Sequence, residues 1–594
     1  MGCCCSAPTR SRDDDYLLPT HRTSTSRRAS LASPLELLIV RDGQPINLIL
    51  TEHGLTVVKR NEGSLHSLKL GQPSATSTRL IPYLNLLAIT SSHAIPVSSS
   101  SSTHVSLAAL VSSSKADSNA KTQLWTLDGE VHEVGPHGGS QDSAASASET
   151  GTGSDSDAER RRCAVDEWCR EAEERAYAGV KRHRKLHVIV NPAGGKGKAK
   201  SIWQEAIQPV FEAAGSEFDV SYTGPPGSAT HAVALGASHS PAAYDALVAV
   251  SGDGIVHELL NGLASQDGGR TGRKALRETP IVHVPSGSGN ALAVNLLGPE
   301  KVTDVRWAAL AALKGQPIPI DLCSVTQSGG KRLFSFLTQA FGLMADLDLG
   351  TEHLRWMGDT RFTYGYVQGA LSRRTYPLTL HVKVENSSKA SIAKAHNASL
   401  SRPAPPPPSP SLLDGPEADE IPPLEYGTPD DPLPTEGGGA RHMERMPKDG
   451  ELDARWWTVD LQEGVFFLYG GKLPFIAKDV MLFPPANPSD GLIDLCLVGP
   501  MSPLEALTAM DGADTGRTFS NPSTLYLKAS AYRLSFPAAP KGRKGYVSID
   551  GESMPHQAFA VEVHRALGRV MALGGRVAGR RRIDGYELGA DASV

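Results

Sequence analysis

The chain has 594 residues, of which 21% are charged, and a net charge of -5. Its length exceeds what one hydrophobic core usually supports, which indicates roughly two to four domains. The slightly acidic balance gives no general electrostatic argument for nucleic-acid binding, so we expect no nucleic-acid partner. The seven cysteines lack the spacing of metal ligands or of a disulfide framework. They indicate free thiols in a reducing compartment, and the sequence directly assigns no metal ligand.

The first residues carry a lipidation pattern. Gly2 and the serine four positions later match the N-myristoylation pattern, and Cys3, Cys4 and Cys5 are placed for palmitoylation. Two acyl chains hold a protein stably on a bilayer, whereas one holds it only marginally. No apolar run approaches the roughly 18 to 20 residues that span a bilayer, and no secretory segment opens the chain. We expect a cytoplasmic protein held peripherally on a membrane surface through an acylated, disordered N-terminus, residues 1–33.

Short apolar runs separated by turn residues predict a small β-rich module over residues 34–135. The sequence leaves open whether this module is a separate lipid-binding domain or an accessory sheet. Residues 136–184 follow, first as a Gly/Ser/Asp-rich linker. Over Arg160–Arg182 acidic and basic residues alternate, which predicts a helix with a solvated surface.

Residues 185–320 alternate strands with helices, which indicates a doubly wound α/β domain with a parallel sheet. Ligand sites in such sheets lie at the carboxyl ends of the strands. Glycine-rich turns fall at these ends, over Asn191–Lys198, Ser251–Gly254 and Pro285–Asn290. Glycines let backbone N–H groups approach an anion, and the following helix presents its positive end. Together the turns predict a site that handles phosphate.

Asp253 is the candidate base, because its carboxylate stands between two glycines at a strand end. In phosphoryl transfer the protein mainly positions groups and neutralises charge, while a carboxylate accepts the proton of the attacking hydroxyl. We therefore predict a kinase of a small hydroxylated molecule. An Asp with only a structural role in a tight turn is the alternative. Glu258, one helical turn further on, is a candidate for orienting the nucleotide or a metal-bound water.

After about Asp321 the pattern becomes strand-rich, which predicts an antiparallel β-sandwich over residues 321–580 and a tail over residues 581–594. A Pro/Ser/Gly-rich insert over residues 386–453 interrupts this pattern and contains the run Pro405–Pro408. Its composition predicts a disordered loop, with polyproline II character, that suits regulatory partners.

Several segments together resemble the sphingosine kinase group of the diacylglycerol-kinase catalytic superfamily. They occur in family order and cover about residues 185–385 and 455–575. They are Val190–Lys198, Val250–Gly262, Pro285–Ala291, Ala340–Asp348, Arg355–Phe362 and Ile549–Glu552. The resemblance implies an ATP-binding α/β domain, a β-sandwich domain that holds a lipid, and ATP with Mg²⁺ as cosubstrate.

The resemblance also implies roles for individual residues, with Asp253 as the proton acceptor. Nucleotide contacts are implied for Asn191, Pro192, Ala193, Gly194, Gly195, Thr223, Glu258, Ser286, Gly287, Ser288, Arg355, Arg361, Asp550, Gly551 and Glu552. Contacts with the lipid substrate are implied for Ser251, Gly252, Asp253, Gly254 and Asp348. An amino-alcohol headgroup is cationic near neutral pH, which favours a carboxylate such as Asp348, with Asp346 as the less favoured alternative.

The implied reaction transfers the γ-phosphate of ATP to the primary hydroxyl of sphingosine, dihydrosphingosine or phytosphingosine. A ceramide or diacylglycerol kinase is the alternative within enzymes, since ceramide kinase also begins with a lipid-binding β domain. A membrane-anchored lipid-binding scaffold with an inactive kinase fold is the alternative from another class. Loss of Asp253 or of the glycine turns would mark such a scaffold, and the sequence retains them all.

Overall fold

The computed structural model divides the chain into two compact units. The first comprises Met1–Ala109 and Trp125–Ala178, and the second comprises Leu110–Leu124 and Gly179–Val594. The structure describes residues 35–60, 75–93, 102–113, 121–134, 154–194, 197–351, 360–401, 419–433, 440–508, 512–539 and 544–585. The acylation candidates Gly2 and Cys3–Cys5 lie outside these described residues.

The N-terminal sheet has seven strands in the order β4-β3-β2-β1-β7-β6-β5. Asp42 and Gly43, both with positive φ, form the two-residue turn between the first two strands, which is the turn geometry that matches strand twist. The strands are β1 (Leu35–Arg41), β2 (Gln44–Leu50), β3 (Gly54–Arg60), β4 (Ala75–Pro82), β5 (Leu86–His93), β6 (Thr103–Ser112) and β7 (Thr122–Val134).

Helix α1 (Ser154–Ala176) begins inside the predicted linker and packs against β5. Val165, Trp168 and Ala172 are buried, at the three- and four-residue spacing that forms one helical face. The prediction of a solvated helix is wrong for this face. The alternating charges lie on the opposite face, while Cys169 and Ala176 extend the buried face of the helix.

The second unit begins with four parallel strands in the order β11-β10-β8-β9. Residues of β10 and β11 are buried throughout, as expected for parallel strands covered on both faces. The prediction of a mixed α/β chain is confirmed. The elements are β8 (Lys185–Val190), α2 (Ala199–Ser201), α3 (Gln208–Ala213), β9 (Glu217–Tyr222), α4 (Ala232–Ser238), β10 (Ala246–Ser251), α5 (Asp253–Ala264), α6 (Gly272–Glu278), β11 (Ile281–Pro285) and α7 (Ala291–Leu297).

The rest of this unit is mostly strand, and no described helix is both long and apolar enough to cross a bilayer. Its elements are α8 (Arg306–Lys314), β12 (Gln316–Gln327), β13 (Leu333–Ser335), β14 (Thr338–Gly342), α9 (Leu343–Gly350), α10 (Thr360–Leu371), β15 (Tyr376–Asn386), α11 (Lys389–Leu400), β16 (Arg441–Met443), β17 (Trp456–Val465), β18 (Phe467–Gly471), β19 (Phe475–Ala477), β20 (Val480–Met481), β21 (Ile493–Val498), α12 (Pro503–Thr508), β22 (Thr524–Ser535), β23 (Val547–Ile549), β24 (Glu552–Met554) and β25 (Phe559–Ala572).

The parallel and antiparallel strands belong to one 16-stranded sheet. Strand β25 joins them, because Val570 pairs with Ile281 of β11 while Ala560 and Val561 pair with β22. The sequence placed a boundary near residue 320 and did not anticipate this continuity. Local patterns identify strands, but they do not show which strands pair across hundreds of residues.

The insert is partly ordered, so the prediction of disorder over residues 386–453 is wrong for its described parts. Helix α11 occupies Lys389–Leu400. Residues 419–433, here called the strap, lie against the sheet: the backbone N–H groups of Glu425 and Tyr426 donate to the buried carboxylate of Glu562. The run Pro405–Pro408 lies outside the described residues. Paired backbone groups, which composition does not reveal, order the strap.

Candidate active site

The three predicted glycine turns gather at one edge of the sheet, at the carboxyl ends of β8, β10 and β11. The backbone N–H of Asn191 donates to Val250 O at 3.1 Å, and that of Ser286 donates to Ser251 O at 2.9 Å. These bonds tie the first turn to the end of β10 and the third turn to the second. The edge of the sheet is therefore lined by backbone of all three turns, as the sequence predicted.

The second and third turns touch directly. A Cβ placed on Gly287 would lie 2.6 Å from Gly252 Cα, so this contact requires a glycine. Asn290 adopts a left-handed conformation, with φ of 50°, and closes the third turn through two hydrogen bonds with Gly287. The buried Ser286 Oγ has no hydrogen-bond partner within the described residues. A free hydroxyl beside close-packed glycine backbone fits an anionic phosphate ligand.

Asp253 is the first residue of α5, and its carboxylate reaches the start of α7. It accepts hydrogen bonds from the backbone N–H groups of Ala291 (2.8 Å) and Leu292 (3.0 Å). The side chain is 12% exposed. A carboxylate offers about four lone-pair sites, so two bound amides fix its orientation and leave capacity for a substrate hydroxyl. The structural and the catalytic interpretations of Asp253 are compatible in this geometry.

His283 lies behind Asp253 and was missed by the sequence reasoning. Its Nε2 is 3.0 Å from Ser251 O, and its Nδ1 is 3.6 Å from Asp253 Oδ1. Because a carbonyl oxygen only accepts, Nε2 carries the proton and donates to it. The histidine thus holds the end of β10 in place behind the candidate base. A polar residue inside an otherwise apolar parallel strand was the signal that could have revealed it.

Glu258, on α5, forms the second acidic position of the site. Its carboxylate is 3.2 Å from His231 Nε2. Burial raises the pKa of Glu258 above its ordinary value; His231 opposes this rise and the nearby Glu552 adds to it. Glu552 Oε1 lies 2.5 Å from the point where a Cβ on Gly254 would sit. Two carboxylates thus flank the start of α5, where they suit a cationic or metal-bound ligand.

Asp550, for which the resemblance implied a nucleotide contact, is held by donors of the protein. It is 3% exposed, and its Oδ1 accepts hydrogen bonds from Ser335 Oγ (2.6 Å), Leu337 N (3.0 Å) and Thr338 N (2.8 Å). Its Oδ2 accepts from His257 Nδ1 (2.9 Å) and Phe336 N (3.0 Å). Both oxygens of the carboxylate are therefore hydrogen-bonded to protein donors. It anchors the loop between β13 and β14 to α5.

The first turn and the loop after β9, both implied to contact the nucleotide, meet through the side chain of Asn191. Asn191 Oδ1 accepts hydrogen bonds from Thr223 Oγ1 (3.2 Å) and from the backbone N–H of Ala193 (3.1 Å). The side chain of Asn191 thereby ties both loops to the end of β8. Gly195 lies outside the described residues. Pro192 and Gly194 complete the described part of the turn, and the carbonyl of Asn191 accepts from Gly194 N.

Asp348 and Asp346 lie on α9, in the antiparallel part of the unit. Ser548 Oγ donates to Asp348 at 2.9 Å, whereas Tyr376 OH donates to Asp346 at 2.6 Å. Ser548 stands two residues before Asp550 in the chain, which is about 7 Å along a strand. The β23–β24 hairpin thus links Asp348 with Glu552 and the start of α5.

The two implied arginine contacts with the nucleotide stay predictions. Arg355 lies outside the described residues, and Arg361 falls on α10 but its side chain is not described. Within the described part of the chain, no group of three or more His, Cys, Asp or Glu side chains is arranged to hold a metal ion.

The part of the chain that carries the three glycine turns matches a known family. Residues 185–325 match the family of the diacylglycerol kinase catalytic domain, the stretch that contains all three glycine turns. A putative diacylglycerol kinase from Bacillus anthracis str. Sterne aligns structurally with 67% of this chain and 99% of its own, at a TM-score of 0.43 and 15% identity.

The curated relatives are more specific. Sphingosine kinase 1 of Homo sapiens is 29% identical and covers 64% of this chain and 88% of its own. Sphingoid long chain base kinase 5 of Saccharomyces cerevisiae is 28% identical, over 69% of this chain and 62% of its own. Sphingoid long chain base kinase 4 of Schizosaccharomyces pombe is 30% identical, over 68% of this chain and 79% of its own. The chain is therefore an enzyme of the sphingoid long-chain-base kinase family.

Proposed function

We propose that this enzyme transfers the γ-phosphoryl group of ATP to the primary hydroxyl of a sphingoid base. The observation that carries the proposal is the position of Asp253 between the touching glycine turns and the N-terminus of α7. A hydroxyl that donates to this carboxylate loses its proton to Asp253 as its oxygen attacks the γ-phosphorus. ADP leaves with the broken P–O bond.

The nucleotide phosphates would bind along the three turns. The Ser286 hydroxyl and the backbone N–H groups of the turns supply the donors, and the positive ends of the following helices add a favourable field. Mg²⁺ would be held mainly by the phosphates, with Glu258 and Glu552 as candidate carboxylates beside the start of α5. Bound there, it would shield the phosphate charge during transfer.

The amino group of the lipid would pair with Asp348. Its carboxylate accepts from Ser548, which stands on the β23–β24 hairpin that also carries Glu552. A cationic headgroup gains from a carboxylate that a neutral diglyceride or ceramide cannot use. Asp346, the less favoured alternative, accepts from Tyr376 and lies 3.8 Å from Arg374.

A radiolabelled-ATP assay with the purified chain tests the proposal. We expect phosphorylation of sphingosine, dihydrosphingosine or phytosphingosine, and little of ceramide or diacylglycerol. Asp253→Asn should abolish transfer while ATP still binds. Asp348→Asn should raise KM for the sphingoid base, and Asp346→Asn is its matched control. Preferential phosphorylation of diacylglycerol or ceramide, or full turnover by Asp253→Asn, would contradict the proposal.

The membrane attachment expected from the first residues is a separate proposal. We infer that Gly2 is myristoylated and that Cys3–Cys5 are palmitoylated, which would place the enzyme where its lipid substrate resides. Metabolic labelling with a myristate analogue should label the wild-type chain and not Gly2→Ala. Equal membrane recovery of both chains would show that acylation does not hold the enzyme there.

A further inference from the structure

Helix α6 lies beyond the end of α5 that is opposite to Asp253. A Cβ on Gly272, the first residue of α6, would lie 2.1 Å from Ala264 O at the end of α5. The 12 residues of α5 correspond to about 18 Å. Helix α6 also packs against β25. A group on α6 is therefore separated from the phosphate-transfer site by the length of a helix.

Three half-buried arginines lie on these two packed elements, Arg273 and Arg277 on α6 and Arg569 on β25, here called the arginine cluster. Arg273 and Arg277 are four residues apart, so they share one face of the helix. Burial lowers the pKa of Arg273 and of Arg569, and in both cases the charge of Arg277 lowers it further. Arg277 therefore lies within electrostatic range of the other two.

No carboxylate among the residues that the structure describes forms an ion pair with the arginine cluster. Within the described part of the chain, Arg569 Nη1 donates to the carbonyl oxygens of Ala566 and Gly568, each at 3.1 Å. The guanidinium groups of Arg273 and Arg277 make no hydrogen bond with described residues. The backbone carbonyl of Asp419, on the strap, accepts a hydrogen bond from the backbone N–H of Arg273. The carboxylate of Asp419 forms no ion pair with the described arginines of the cluster.

Some arginines of the chain have acidic partners, and others, such as Arg184, are held by backbone carbonyls. Arg445 pairs with Glu451, and Arg175 Nε lies 2.7 Å from Glu171. Three uncompensated cations held together in partial burial destabilise a fold, because like charges repel more strongly away from water. Such an arrangement is explained when an anion supplies the missing charge. Guanidinium groups match the oxygen geometry of phosphate.

We propose that the arginine cluster is a second anion site, which binds the phosphomonoester group of a small ligand away from the site of phosphoryl transfer. The ligand brings the negative charge that the described protein groups do not supply. Free inorganic phosphate and a phosphomonoester lipid headgroup share this chemistry.

Calorimetric titration of the full chain with inorganic phosphate tests the proposal, at constant ionic strength and with the glycine turns saturated by a nonhydrolysable ATP analogue. We expect Arg277→Gln to weaken phosphate binding by about tenfold or more, the ratio that corresponds to 1.4 kcal/mol. Arg582→Gln, which removes an equal but exposed charge outside the cluster, is the matched control. Without phosphate, Arg277→Gln should melt at the wild-type temperature or above it, because repulsion is relieved.

A second arm distinguishes the sources of the phosphate group. Vesicles of neutral phospholipid, with and without a phosphomonoester lipid, are sedimented with each variant. The proposal is supported if binding is lost in Arg277→Gln and kept in Arg582→Gln. Binding of free phosphate would identify inorganic phosphate as the ligand, and binding of the phosphomonoester vesicles alone would identify the lipid headgroup. Binding by neither probe, or equal loss in both variants, overturns the proposal.

Discussion

Replacing Asp550 with Asn separates a structural role from a nucleotide-binding role. The change keeps the shape of the side chain but turns one acceptor oxygen into a donor. With its oxygen at the Oδ1 position, the amide still accepts from Ser335, Leu337 and Thr338. Its nitrogen then faces the two donors that Oδ2 accepted, Phe336 N and His257 Nδ1.

The expected loss follows from these two contacts. A buried donor without a partner costs about 1 to 3 kcal/mol, so the free energy of unfolding should fall by about 2 to 6 kcal/mol. This is a large part of the roughly 5 to 15 kcal/mol that stabilises a typical domain. Urea denaturation of wild type and variant measures the difference.

The pH dependence gives a second measurement. Burial acts to lower the pKa of His257, but the hydrogen bond and charge of Asp550 outweigh it, and the pKa lies above its ordinary value. A histidine whose pKa is raised in the folded state stabilises the fold fully below its unfolded pKa of about 6.5. This stabilisation is lost as the pH rises through the pKa of the folded state. We expect this decline in the wild type and not in Asp550→Asn.

Glu552→Gln is the matched control, because Glu552 is exposed, and it should leave the denaturation midpoint unchanged. The reasoning is wrong if Asp550→Asn keeps the wild-type midpoint and instead loses ATP affinity. That result would place Asp550 against the nucleotide, as the family resemblance implied.

Two further substitutions test the packing that positions the site. Gly287→Ala should lower ATP affinity, measured by fluorescence titration, because its Cβ would lie 2.6 Å from Gly252 Cα; Gly499→Ala, at a position with open space, is the control. Lys472→Met should destabilise the enzyme by about 3 to 5 kcal/mol, since it leaves the buried Asp321, now 2.9 Å from Lys472 Nζ, without its cation. Lys478→Met, at an exposed position, should leave the urea midpoint unchanged. Unaltered ATP affinity in Gly287→Ala or unaltered stability in Lys472→Met would contradict these expectations.

The sequence identified the parts whose signals are local. A buried strand that runs into a glycine turn and then a helix is read from neighbouring residues. The positions of the three turns follow from this pattern, since parallel strands bring their carboxyl ends to one edge. Asp253 was recognised for the same reason.

Contacts between distant parts of the chain were not predictable in this way. The charges of α1 predicted a solvated helix, yet Trp168 is buried against the N-terminal sheet. The composition of the insert predicted disorder, yet the strap is held by Glu562. In both cases a few buried or paired groups outweigh the average composition of the segment.

The sequence by itself determined the alternation of strands, glycine turns and helices in the α/β part and the family of the enzyme, because these depend on local patterns and motifs. Only the tertiary structure decided what the acidic side chains of the site contact. Asp253 binds the start of α7, and Asp550 is filled by five donors from α5 and the β13–β14 loop. Long-range pairing determines which carboxylates are satisfied by protein groups and which face a ligand, and no local pattern records it.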